Sequence, residues 1–258
     1  MHPILFEIGS VTIYSYGFFI ALGAVIGVIY MARQGKKNFG TSFDKSNSLF
    51  IYIVVSAYLG GKVFFFFENP TFYIHNVAKL FTGNGFVFFG SLLFAIPTML
   101  WFFKKNNIPT LPMLDVMPIV TCIVHGFGRI GCFMSGCCHG KPTDSFLSVV
   151  FTNPIWQADP LNTPLHPTQL YESGYIFLLM GFLLFYKKKK KFDGQLFLIY
   201  LIAYSIGRSL LEFLRGDEER GYLVKDIISH SQFISILVIG VAIYFYVKLK
   251  RRGKLLTP

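Results

Sequence analysis

In the stretch LIAYSIGRSLLEFLRGD, Tyr204, Arg208, Glu212 and Arg215 follow one another at intervals of four, four and three. At about 100° per residue, these side chains fall within an arc of roughly 80° on one helix face. Two guanidinium groups against one carboxylate leave positive charge over. A cation kept in an otherwise apolar helix suits an anionic ligand, phosphate above all. The alternative is a structural ion-pair network in which Glu212 neutralises Arg208 or Arg215.

A second stretch, TCIVHGFGRIGCFMSGCCHGKPT, repeats the pattern: His125, Arg129 and Cys132 stand four and three apart and share a face. Gly126, Gly128, Gly131, Gly136 and Gly140 strip side-chain bulk from around the arginine. Small residues let helices pack closely, and they equally let a headgroup approach nearby donors. Lys62, in AYLGGKVFFFFE, adds a third cation, with snorkelling to the interface as the competing explanation. In LHPTQLYES, His166, Gln169, Tyr171 and Glu172 put polar groups where a helix begins; Thr168 or the preceding proline could start that helix, with Glu172 in its first turn. Cys132, Cys137, Cys138 and His139 crowd one short segment. Small buried thiols, a disulfide and a metal site are all open readings, although C-x4-C-C-H is not a common zinc pattern.

The elements that must position these groups are membrane helices. The chain of 258 residues is 53% hydrophobic and 18% aromatic but only 14% charged, about half the charge fraction of a soluble domain. Seven apolar stretches, near 12–32, 48–67, 86–103, 112–134, 168–186, 194–214 and 226–248, are long enough to cross a core about 30 Å thick. In lipid the backbone must satisfy itself, so these are expected to be helices. The net charge of +11 does not point to nucleic acid, because the lysines and arginines cluster in short runs beside apolar stretches. Arg33, Lys36, Lys37 and Lys45 follow the first span, Lys104 and Lys105 the third, Lys187 to Lys191 the fifth, and Lys248 to Lys254 the last. The intervening loops hold a mixed or acidic set that includes Glu68, Asp144, Asp159, Asp217, Glu218, Glu219, Arg220 and Lys225. The expected fold is an all-α integral membrane protein, a single domain of about seven transmembrane helices, with the N-terminus outside and the C-terminus cytoplasmic. MHPILFEIGS lacks the features of a cleavable signal, so the first helix is expected to insert uncleaved. The irregular segment at about 140–167 is of a length usually tied to function.

Taken together, these segments resemble the prolipoprotein diacylglyceryl transferase family. The family signature G-R-x-G-N-F-x-N-G-E-x-x-G is matched by Gly128, Arg129, Gly131, Phe133, Gly136 and Gly140, with Cys132 in place of the first asparagine, Ser135 at the second and Cys137 in place of the acidic residue. H-P-S/T-Q-L-Y-E is intact from His166 to Glu172, and Y-G-x-x-R-x-x-x-E-x-x-R reads Tyr204, Arg208, Glu212, Arg215 with Ser205 for the glycine. Tyr16-Gly17 and the run from Ser229 to Ser235 also fit. The resemblance implies transfer of a diacylglyceryl group from phosphatidylglycerol to the lipobox cysteine of prolipoprotein signal peptides, in the bacterial cytoplasmic membrane, with no metal or other cofactor. Arg129 and Arg208 would grip the phosphodiester, with Tyr204 orienting the headgroup or the thiol. The substrate-binding set would comprise Gly128, Gly131, Cys132, Gly140, His166, Gln169, Tyr171, Glu172, Glu212, Arg215, Tyr16 and Lys62. Position 89, where the family has a base, is Phe89 here. His139, beside the Arg129 loop, is the favoured substitute, ahead of His125 and His166. The departures leave two other readings: a related lipid-modifying enzyme with another acceptor, and an anion transporter.

Overall fold

The computed structural model describes residues 2–9, 11–68, 70–82, 85–153, 158–216, 222–224 and 228–254. Asp217, Glu218, Glu219, Arg220 and Lys225, expected in an outer loop, lie outside the described residues, as do the first two residues of the stretch 226–248. Helices dominate. A hairpin of β1 (Ile4–Ile8) and β2 (Val11–Tyr14) precedes α1 (Ser15–Phe39). Next come α2 (Phe43–Glu68), the short α3 (Pro70–His75) and α4 (Val77–Thr82), α5 (Phe88–Lys105), α6 (Thr110–Leu114) and α7 (Met117–Ser135). Beyond the two-stranded ribbon of β3 (Val149–Val150) and β4 (Pro164–Leu165) lie α8 (Thr168–Tyr186), α9 (Gln195–Glu212), the ribbon of β5 (Tyr222–Val224) and β6 (Ile228–Ser229), and α10 (His230–Lys254).

Five segments are long and apolar enough to cross a membrane: Ser15–Phe39, Phe43–Glu68, Thr110–Ser135, Thr168–Lys189 and His230–Arg252. The side chains that face outward are apolar. Leu178, Phe185 and Tyr244 are 76%, 65% and 60% exposed, as expected where the surrounding solvent is hydrocarbon. Helices α5 and α9, of 18 residues each, match the apolar stretches read at 86–103 and 194–214, but they carry Lys104, Lys105, Arg208 and Glu212.

Three boundaries differ from the sequence reading, each for a local reason. The first helix starts at Ser15, not residue 12, because Val11–Tyr14 pairs with Ile4–Ile8 across a turn in which Gly9 has φ +60°. The fourth stretch breaks at Asp115–Val116 between α6 and α7, with Pro118 in the first turn of α7, where its missing N–H costs nothing. Helix α9 stops at Glu212, so Arg215 leaves the helix face it was expected to share and forms a bridge with Gly140.

The chain divides into two compact units, Met1–Ile29 with Leu114–Pro258, and Tyr30–Met113. In the second unit α2 packs on α5. A Cβ on Gly60 would collide with the Gly90 carbonyl, and one on Gly90 with the Gly60 carbonyl, so the two backbones pass in direct contact. In the first unit, α7 packs on α8, α8 on α9, and α9 on α10. The start of α1 closes on α7 where Gly23 faces Phe127 and Val124, and Gly27 faces Val124 and Val120.

At the α7 N-terminal end, buried Asp115 organises the basic loop. Its Oδ1 accepts hydrogen bonds from the amides of Leu196 (2.8 Å) and Phe197 (3.4 Å), and its Oδ2 from the Gly194 amide (2.9 Å) and Lys190 Nζ (3.0 Å). A side chain from another element thus caps α9. Burial works against the Lys190 ammonium, yet Asp193 and Asp115 hold its pKa above the usual lysine value. Helix α10 opens with a reciprocal box: the Gln232 amide donates to Ser229 Oγ and the Ser229 amide to Gln232 Oε1, each at 3.1 Å.

Candidate active site

Glu172, on the first turns of α8 and only 2% exposed, is the centre of a charged cluster inside the first unit. Its Oε2 lies 3.0 Å from Nε of Arg129 and 4.0 Å from a terminal nitrogen of Arg215. Its Oε1 lies 3.4 Å from Nε2 of His125 and accepts a hydrogen bond from the Tyr204 hydroxyl at 3.3 Å. His125 and Arg129, four apart on α7, therefore meet one carboxylate, and the Tyr204 ring stands edge-on to His125 with centroids 5.4 Å apart. Glu172 is no mere first-turn residue, because its partners all come from other segments.

On α9, Arg208 pairs with Glu212 at 2.5 Å, each side chain about 11% exposed, as the spacing of four allows. Three guanidinium groups (Arg129, Arg208, Arg215) stand against two carboxylates (Glu172, Glu212). The Cys138 thiol, drawn toward thiolate by hydrogen bonds from Cys132 and Cys137 and then by Arg215 and Arg129, adds a third anionic group to the described cluster. Such a cluster, largely shielded from water, makes a charged contact stronger than it would be at a surface.

The segment after α7 is fixed from three sides. Helix α7 ends at Gly136, whose φ of +72° supplies the left-handed cap. Beyond it, the Gly140 amide donates to the His166 carbonyl (2.8 Å), the His166 amide to the Lys141 carbonyl (3.0 Å), and the Lys141 amide to the Leu214 carbonyl (2.9 Å). Gly140 has no room for a Cβ, which would press on His166, Thr168 and the Leu214 carbonyl. The side chains that open α8 do not cap it. Thr168 Oγ1 donates to the Cys138 carbonyl at 2.8 Å, and Gln169 Nε2 to the Cys137 carbonyl at 2.7 Å. Much of the stretch read as an irregular loop is thereby ordered. Phe151, Ala158 and Leu165 form a small core with Phe133 and Leu161 beneath it.

This arrangement gathers thiols. The Sγ atoms of Cys132, Cys137 and Cys138 all lie within 4.8 Å of one another, and each residue is half-buried. The Cys138 thiol is held far below its usual pKa by hydrogen bonds from Cys132 and Cys137, then by Arg215 and Arg129, while bonding to Cys132 and Cys138 pushes Cys137 up. Cys122, by contrast, is wholly buried packing on α7.

His139 points elsewhere. It is 8% exposed, its Nδ1 lies 3.0 Å from the Gly140 carbonyl, and its Nε2 accepts the Asp159 amide at 3.3 Å. Nδ1 is therefore the nitrogen that donates, and Nε2 the one that accepts. His166 sets its Nδ1 3.4 Å from the Tyr171 hydroxyl. Gly131 is where Tyr16 crosses α7: a Cβ there would sit 3.1–3.3 Å from the Tyr16 ring and backbone. Gly128 faces open space. Lys62 belongs to the second unit. Instead of snorkelling it is 4% exposed, donates from Nζ to the Gly85 carbonyl at 2.9 Å, and lies 5.8 Å from the Tyr58 and Phe65 ring centres.

A family model described as prolipoprotein diacylglyceryl transferase matches residues 3–248. The chain belongs to the prolipoprotein diacylglyceryl transferase family. Among its relatives in that family, a Clostridium tetani protein named phosphatidylglycerol–prolipoprotein diacylglyceryl transferase is 40% identical, over 95% of this chain and 97% of that one. A Clostridium perfringens protein with the same name and the suffix 2 is 36% identical, over 98% of each chain. One from Ehrlichia canis, also of that name, is 32% identical over 94% of each. Set against the family signature, two of its three substituted positions, Cys132 and Cys137, are the thiols that the fold brings to Cys138. Sequence reasoning missed Ser173, whose Oγ donates to the Gly126 carbonyl at 3.0 Å and ties α8 to α7 directly behind the cluster. Its only signal was a hydroxyl following Glu172 in an apolar run.

Proposed function

We propose that this chain transfers the diacylglyceryl group of phosphatidylglycerol to the thiol of a lipobox cysteine in prolipoproteins, forming a thioether and releasing glycerol phosphate. The observation that carries this reading is family membership over residues 3–248, joined to a buried cluster in which Arg129 and Arg208 are each held by a carboxylate. A phosphodiester is an anion of the kind that guanidinium groups bind through paired hydrogen bonds. Arg129 and Arg208, each already held by a carboxylate, present their remaining N–H groups to the phosphate and stabilise charge growing on the departing glycerol phosphate. Tyr204 orients the headgroup. Gln169 and Thr168 hold the Cys137 and Cys138 carbonyls, which fixes the wall of the site beside Arg129. With both ring nitrogens taken by backbone groups, His139 serves the fold of this wall and not proton transfer.

The same reading sets the enzyme in the bacterial cytoplasmic membrane as a single domain of seven spans. Helices α5 and α9 complete the count, the N-terminus lies outside, and the lysine-rich loops and C-terminus lie in the cytoplasm.

The test is mass spectrometry of a synthetic lipobox peptide incubated with the purified protein and phosphatidylglycerol, beside an Arg129→Ala control. A diacylglyceryl mass gain on the cysteine, absent in the control, is expected. No gain from a folded wild-type protein would discard the transferase reading and send the search to other acceptors.

A further inference from the structure

We infer that Cys132, Cys137 and Cys138 form a three-thiolate site for one divalent thiophilic metal ion of the zinc class, with its fourth position open to the acceptor thiol. The ion-binding part stands on geometry alone; the role in catalysis rests on the transferase reading.

Three Sγ atoms lie within 4.8 Å of one another. Around zinc, at a Zn–S distance of about 2.3 Å, tetrahedral sulfurs stand about 3.8 Å apart, so small side-chain rotations close the site. A disulfide needs sulfurs at about 2.05 Å and would strand one of the three thiols. The scaffold is built for a fixed position: the carbonyls of Cys137 and Cys138 are pinned by Gln169 and Thr168, and Cys138 itself adopts φ +64°, a backbone state a non-glycine residue takes only when its surroundings impose it. A second observation points to a ligand at this place. Gln169 is 1% exposed, its Nε2 is bound to the Cys137 carbonyl, and Oε1 of the same amide has no hydrogen-bond partner among the described residues. An unpartnered buried acceptor on the side chain that binds the Cys137 carbonyl leaves room for one more hydrogen-bond donor in this segment.

Among the described residues no fourth histidine, cysteine or carboxylate joins the three sulfurs. Three protein ligands with one open position is the arrangement of catalytic zinc, whereas structural sites are closed by four. An ion held there by Cys132, Cys137 and Cys138 would supply a bound hydroxide able to take the proton of the incoming thiol, releasing water, and would hold that thiol as thiolate. That sulfur then forms the S–C bond to the glycerol carbon while the C–O bond to phosphate breaks. The electron pair departs with glycerol phosphate toward Arg129, one turn away on α7 from Cys132.

The experiment titrates the full-length, reduced protein in detergent with Cd2+, following the thiolate-to-cadmium charge-transfer absorption and the bound metal by elemental analysis. The expected result is one ion per chain. The band should be lost in Cys137→Ser and in Cys138→Ser, both with wild-type helical circular dichroism, and kept in Cys122→Ala. No band, less than one ion per chain, or a band that survives both serine variants would overturn the site. A disulfide among these three cysteines in protein isolated without reductant would overturn it as well. Thioether formation is then followed against pH in zinc-loaded and chelator-stripped protein. The loaded form should work well below the acceptor thiol's ordinary pKa of about 8.5, and the stripped form should need higher pH. Equal profiles would remove the metal from catalysis. Metal binding without thioether in either form would sink the transferase reading and leave the ion site standing.

Discussion

Arg129 and Glu172 meet across two helices, with Nε 3.0 Å from Oε2 and the glutamate 2% exposed. The carboxylate fixes one edge of the guanidinium and leaves the others for a ligand, so Glu172 aims Arg129. Removing one partner of a buried pair leaves an uncompensated charge, and here His125 and Arg215 would each lose a contact to the same carboxylate. Glu172→Ala is therefore expected to cost about 3–5 kcal/mol of stability. Thermal unfolding in detergent measures this, and wild-type unfolding would mean that the cluster is stabilised elsewhere.

Arg208 tests the phosphate clamp separately, because its Glu212 partner sits on the same helix. Arg208→Ala should lower kcat by about 10²–10³, the range lost when one oxyanion donor is removed. Arg208→Lys keeps charge without the planar fork and should recover only part of that. Full turnover by the alanine variant would end the assignment.

Two glycines on α7, two residues apart, should behave oppositely. A Cβ on Gly126 would press into the Phe177 ring at 2.7–3.1 Å, while one on Gly128 meets nothing within 4 Å. Gly126→Ala is expected to destabilise by about 1–3 kcal/mol through overpacking. Gly128→Leu should unfold like the wild type yet lower kcat/KM on the order of tenfold or more, by displacing the headgroup beside Arg129. Unfolding curves and peptide-lipidation rates on both variants give the comparison.

Asp115 should matter to the fold and not to the chemistry. Asp115→Ala removes the acceptor for three backbone amides and Lys190. A loss of at least about 2 kcal/mol is expected, with kcat unchanged in whatever fraction folds. A slowed chemical step at full stability would show coupling along α7 that the contacts do not explain.

The helices were legible because lipid imposes one demand on the backbone and about 20 apolar residues meet it. Tyr204, Arg208 and Glu212 were legible as a stripe because they share one regular helix. Arg215 was misplaced with them, since nothing in FLRGD announces that α9 stops at Glu212. Glu172 was underread for a different reason. Helix-start rules see only neighbours in sequence, whereas its partners Arg129 and Tyr204 come from α7 and α9. His139 shows the reverse limit: its residue type and position are plain in the sequence, but the backbone hydrogen bonds at both ring nitrogens are invisible without a fold.

The Asp115 cap has a consequence for biogenesis. Its partners lie 75 to 82 residues further along the chain, so the carboxylate is synthesised well before anything that can satisfy it. While the ribosome makes the segments in between, α7 stands in the bilayer with an acid at one end and an unpaired arginine further along. Neither is neutralised until α8 and the start of α9 have emerged. Insertion of this half is thus a waiting assembly, and the interval before α9 arrives is when a chaperone or a quality-control protease would find the chain most recognisable.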